Sequence, residues 1–221
     1  MVETTIVTGY YGSGKTEFCV NLALTHRKTT DEKIYIADLD VVNPYFRSRE
    51  KMGYLRQFNI EILGNTLPQV SGSDIPALNF GFLTSIERGE RVILDLAGGR
   101  AGIKILAGLK ERLRSWEFLC VLNLFRPETS SVEKMTQFIE EINSVGKLEV
   151  TGLVNNSHML HETQSLHVLS GQEAILPVSD KLGIPLRYTL VKQSIFEQIK
   201  DEIKSDSVLP FERLQMRENW Q

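Results

Sequence analysis

The segment Thr5-Ile6-Val7-Thr8-Gly9-Tyr10-Tyr11-Gly12-Ser13-Gly14-Lys15-Thr16 constrains the fold more than any other part of the chain. Residues 9–16 match G-x-x-x-x-G-K-[ST] in full, an apolar strand leads in, and a helix-compatible run, 17–24, leads out. Glycines let the backbone turn until successive N–H groups converge on one point, and the helix behind them adds the positive end of its dipole. That point suits a phosphate. Gly9, Gly12, Ser13 and Gly14 supply the loop, Lys15 can reach β- and γ-phosphates, and the Thr16 hydroxyl can coordinate Mg²⁺. A glycine-rich turn alone would be weak evidence; the strand before and the helix behind make it strong.

A triphosphate with magnesium needs carboxylates at the ends of neighbouring strands. The run Arg91-Val92-Ile93-Leu94-Asp95-Leu96-Ala97-Gly98 ends an apolar strand in Asp95, with Gly98 three residues on. Such a glycine can offer its N–H to a γ-phosphate and flex when that phosphate leaves. A second apolar strand ends in Asp38-Leu39-Asp40, and strand alternation puts both carboxylates on one side. Two close carboxylates repel, and a cation between them removes the repulsion.

The rest of the chain alternates strand and helix patterns. Strands are expected at 4–8, 34–38, 60–63, 92–96, 118–124, 153–155 and 187–190. Helices are expected at 14–27, 75–88, 103–114, 130–144, 162–169 and 194–204. Several strands are continuously apolar, which fits a sheet covered on both faces. Strand–helix alternation implies right-handed crossovers, hence one doubly wound α/β domain with a mostly parallel sheet flanked by helices. The domain is expected over 1–205, with a polar tail at 206–221.

Composition narrows the function classes. The chain has 221 residues, 25 Lys+Arg and 28 Asp+Glu, for a net charge of −3. A dedicated nucleic-acid scaffold would carry a basic excess. No apolar run approaches a membrane span, and the first residues lack the basic start of a signal peptide. Cys19 and Cys120 are too far apart in sequence to suggest a thiolate metal site, and they read as small buried hydrophobes in a reducing cytoplasm. His158, His161 and His167 do not fall on one helix face, so they read as loop and surface residues. The stripe Ile195, Phe196, Ile199, Ile203 reads as a helix packed on the sheet rather than on a membrane.

The ordered combination of the phosphate loop, the Asp-Leu-Asp strand end and the Asp-x-Ala-Gly strand end resembles the MinD/ParA group of P-loop ATPases, which includes cobyrinate-synthase-like and metallochaperone members. Arg126-Pro127-Glu128-Thr129-Ser130, Gly152-Leu153-Val154-Asn155-Asn156 and Leu182-Gly183-Ile184-Pro185 extend the resemblance over most of the chain. It implies a cytoplasmic ATP- and Mg²⁺-binding protein, a slow ATPase whose nucleotide state regulates a partner, with a protein partner or a homodimer expected. It also implies roles: Asp40 positions the attacking water, Lys15 serves the transferred phosphate, Asp38 and Asp95 hold the metal with Thr16, Gly98 senses the γ-phosphate, and Asn155 lies near the adenine. The alternative is a small-molecule phosphotransferase or ATP-dependent ligase of the dethiobiotin-synthetase or cobyrinate-synthase type, with the basic stretch 47–56 receiving an acidic acceptor. One departure stands out. Group members carry a second lysine near the start of the loop, and Tyr10 occupies that place here; Arg100 and Arg126 are the candidates to supply the missing charge.

Overall fold

The computed structural model describes residues 3–39, 52–63, 81–104 and 106–216. Eight strands form one sheet: β1 (Thr4–Gly9), β2 (Ile34–Leu39), β3 (Ile60–Leu63), β4 (Arg91–Leu96), β5 (Trp116–Leu122), β6 (Gly152–Asn155), β7 (Leu186–Lys192) and β8 (Ser207–Phe211). Their order is β3-β2-β4-β1-β5-β6-β7-β8, and every pairing is parallel. The helices are α1 (Lys15–Arg27), α2 (Met52–Arg56), α3 (Gly81–Glu87), α4 (Arg100–Ile103), α5 (Val132–Gly146), α6 (Ser165–Leu182) and α7 (Gln193–Ile199).

Burial explains the continuously apolar strands. Successive residues point to opposite faces, so Ile6, Leu94, Cys120 and Leu122 enter one core with Phe138, Ile139 and Ile175. Val7, Ile93, Leu119 and Val121 enter the other with Phe18, Cys19 and Leu22 of α1. The chain leaves β1 for one edge of the sheet and later fills the other side with β5 onward. The C-terminal ends of β1 and its neighbours therefore meet at a topological switch point, where open α/β sheets bind ligands.

Four elements differ from expectation. The helix expected at 194–204 is α7, which stops at Ile199. The helix expected at 103–114 is broken: α4 ends at Ile103, and short 3-10 turns follow at Leu106–Gly108 and Lys110–Arg112. The helix expected to stop at 169 continues to Leu182 through Gly171 and Pro177. Gly171 is required there, because a Cβ would overlap the Ser157 side chain packed against that turn. The segment after 205, read as a polar tail, instead adds β8 to the sheet edge, pairing Thr189 with Val208 and Leu190 with Leu209. Its alternation of buried Leu209 with half-buried neighbours is too short to stand out in sequence.

Candidate functional site

The loop between β1 and α1 takes the conformations its glycines allow. Gly14 caps α1 at φ 84°, ψ 28°, in the left-handed region. A Cβ at Gly14 would also overlap Asn156 Nδ2, which donates to the Ser13 carbonyl at 2.7 Å. Asn156 thus fastens one carbonyl of the loop outward, so that the neighbouring amides can face in. Ser13 is fully buried, and its Oγ has no hydrogen-bond partner among the described residues.

Lys15 and Thr16 sit at the head of α1. Lys15 is 6% exposed, and its Nζ lies 3.3 Å from the Tyr10 carbonyl it donates to. Thr16 Oγ1 donates to Asp95 Oδ2 at 2.6 Å. Asp38 stands in register with Asp95 on the adjacent strand, and both are buried. Two carboxylates and a threonine hydroxyl are a hard-oxygen set of the kind Mg²⁺ takes with water and phosphate. The residues present therefore fit that metal.

Gly98 lies against the loop between β1 and α1: a Cβ there would lie 2.9 Å from the Tyr11 ring, and the Gly99 N–H reaches the Gly9 carbonyl at 3.4 Å. Asp40 lies outside the described residues, as do residues 47–51 of the 47–56 stretch; the remainder, Met52–Arg56, is α2. Arg100 opens α4 directly behind Gly99.

Asn155 is placed differently from expectation. It is fully buried, its Nδ2 donates to the Val168 carbonyl at 2.9 Å, and its Oδ1 accepts the Ser157 N–H at 3.1 Å. Both ends of the amide are used to hold α6 and the turn after β6. The adjacent Asn156 is the one that lines the cavity beside the loop. A strand end brings two consecutive side chains to opposite sides, and the sequence does not say which side is the site.

That cavity has a volume of about 420 Å³. Lys15, Thr16, Asn156, His158 and residues 211–214 line it. Sequence reasoning missed its second half, because β8 and the residues behind it carry no motif. His161 also lines it, whereas His167 accepts the Gln164 N–H at 2.9 Å and caps α6. Among the described residues no cluster of three His, Cys, Asp or Glu could hold a metal by itself.

Two side chains alter the picture of charge. Tyr10 turns into the core, its ring edge-on to Phe138 at 5.4 Å. Arg126 turns the other way: its Nε donates to the Gly12 carbonyl at 2.9 Å. The turn that carries Arg126 is built on Asn123, whose Oδ1 accepts the Phe125 N–H at 3.0 Å and whose carbonyl accepts the Arg126 N–H at 3.1 Å. A guanidinium therefore rests against the fourth residue of the loop.

The cysteines remain thiols. Burial, then the neighbouring Asp95 charge, pushes the Cys19 thiol well up, and burial pushes Cys120 up to about 12. Cys19 lies one turn below Thr16 on α1.

No family model and no curated protein matches the chain. Solved structures do. Chloroplast FtsY from Physcomitrella patens aligns with TM-score 0.56 and 20% identity, over 86% of this chain and 58% of that one. FtsY from Thermotoga maritima gives 0.54 and 20%, over 86% and 61%. A nucleotide-binding protein in complex with ADP from Archaeoglobus fulgidus gives 0.53 and 15%, over 84% and 80%. The chain spans about three fifths of the FtsY structures it matches. At these identities the likeness is one of fold: the chain has the architecture of P-loop NTPases. Among the described residues no helix is long and apolar enough to cross a membrane.

Proposed function

We propose that this chain is a Mg²⁺-dependent ATP-binding protein that hydrolyses ATP slowly and uses its nucleotide state to regulate a protein partner, in the manner of the MinD/ParA group. The observation that carries this reading is the Thr16–Asp95 hydrogen bond beside Lys15, with Asp38 in register, at the phosphate end of a nucleotide-sized cavity. It is supported by the ADP named for the Archaeoglobus neighbour and by FlhF, a further structural neighbour at TM-score 0.51, which is complexed with GTP and Mg²⁺.

The loop amides and Lys15 bind the phosphates. Thr16, Asp38 and Asp95 would hold magnesium, which neutralises charge on the β- and γ-oxygens when bound. The Thr16 hydroxyl, which donates to Asp95 here, would be the hydroxyl available to that metal. Asp40 orients the water. Gly98 reports the γ-phosphate. Arg126 supplies in cis the positive charge that Tyr10 does not, since a guanidinium already rests on Gly12 and suits phosphate oxygens. Adenine is favoured over guanine because the strand end reads Asn155-Asn156-Ser157-His158, with no carboxylate in the place an Asn-Lys-x-Asp guanine motif would have one.

Calorimetric titration with Mg-ATP tests this, with GTP in competition. Tight ATP binding by the wild type, lost in Lys15→Met, is the expected result. Failure of the folded wild type to bind either nucleotide would refute the proposal.

A further inference from the structure

Glu17 sits in the first turn of α1, directly after Thr16. An acidic residue there is favoured by the helix dipole and normally faces water. Glu17 does not: it is 8% exposed, and its carboxylate is joined to the far end of the chain. Oε1 accepts the Gln215 N–H at 2.8 Å and Asn21 Nδ2 at 2.7 Å. Oε2 accepts the Gln215 N–H at 3.1 Å and the Met216 N–H at 2.9 Å. A buried carboxylate is tolerated only when donors fill its acceptor positions. Two of these donors are main-chain groups, so the contact fixes the path of the backbone rather than the identity of its side chains.

The fixed segment has one visible consequence. At the end of β8 and just beyond it, Phe211, Glu212, Arg213, Leu214 and Met216 line the cavity that Lys15 and Thr16 also line. The Arg213 guanidinium stacks on Tyr54 of α2, 5.6 Å from the ring centre, and steadies the same segment from its other side. Asn156, His158, Leu160, Leu190 and Ile195 line the same cavity. A triphosphate held by the loop occupies only one end. The rest of the lining mixes apolar side chains, Leu160, Leu190, Ile195 and Met216, with polar ones such as Asn156 and His158, which suits a nucleoside with an apolar ring face and polar edges.

We propose that Glu17 is the positioning residue of a nucleoside subsite whose wall is the C-terminal segment 211–216. The inference rests on the nucleotide reading above and goes beyond it. Phosphate grip and base enclosure are joined through a single turn of α1, with Thr16 serving one and Glu17 the other. Without the anchor, the loop still binds phosphate and the nucleoside half is lost.

The test compares two probes, Mg-ATP and inorganic tripolyphosphate with Mg²⁺, on wild type, Glu17→Ala and Gln215→Pro. Gln215→Pro removes one donor from the anchor, lies outside every strand and helix, and leaves α1 unchanged. Both variants should lose at least about tenfold in ATP affinity and less than about twofold in tripolyphosphate affinity, with cooperative thermal melts retained. Equal loss of both probes, or unchanged ATP affinity in Gln215→Pro, would overturn the inference. Wild type that binds tripolyphosphate as tightly as ATP refutes the nucleoside wall but not the phosphate loop. Wild type that binds neither refutes both.

Discussion

Gly14→Ala carries a prediction that separates backbone strain from side-chain overlap. Gly14 holds φ 84°, where an L-residue costs about 1–2 kcal/mol. The new Cβ would also overlap Asn156 Nδ2 and force it away from the Ser13 carbonyl. Losing that buried hydrogen bond and leaving the carbonyl unsatisfied adds about 1–3 kcal/mol. The substitution should therefore destabilise the ligand-free protein by about 2–5 kcal/mol. Asn156→Ala should cost about 1–3 kcal/mol by itself, because it removes the same donor. Once Asn156 is gone, Gly14→Ala retains only its backbone term. The double variant should thus fall short of the sum of the singles by the shared term, about 1–3 kcal/mol, well beyond the few tenths that separate independent sites. Urea unfolding followed by circular dichroism measures all three. Strict additivity would show that Asn156 does not hold the loop, and the account of how its amides are oriented would fail.

Arg126→Ala should reduce ATP turnover by about tenfold or more while changing ATP affinity little, with Arg126→Lys intermediate; single-turnover and binding assays read the split, and a pure affinity loss would return Arg126 to a structural role. Asp95→Asn should weaken Mg-ATP binding more than metal-free ATP binding, checked by titration with and without EDTA; equal effects would remove Asp95 from the metal. Acid should destabilise the fold through His26, which burial and the Arg91 charge lower from 6.5 to about 4. The unfolded chain then binds the extra proton between those values, so the contribution is full above pH 6.5 and is lost as pH falls towards 4. The ceiling of about 3 kcal/mol shrinks to about 1–2 for a half-exposed ring. His26→Gln should flatten the stability profile across that window, as read by urea midpoints at several pH values.

The local chemistry was legible because it is local. The phosphate loop, the two strand-end aspartates and the glycine after Asp95 are fixed by spacings of a few residues, and strand periodicity plus a glycine-rich turn leave them few alternatives. The doubly wound parallel fold followed from the same alternation of apolar strands and helices. What sequence could not decide depends on contacts between distant residues. Asn155 and Asn156 are chemically identical, and only the packing of α6 on β6 selects which faces the cavity. Gly171 and Pro177 look like helix breakers until the Ser157 contact requires the one and α6 runs on through the other. Arg126 is an ordinary cation until the Asn123 turn lays it on Gly12. Glu17 and Gln215 stand 198 residues apart, and no periodic pattern couples positions at that distance; the pairing of β8 on β7 and the burial of a carboxylate bring them together.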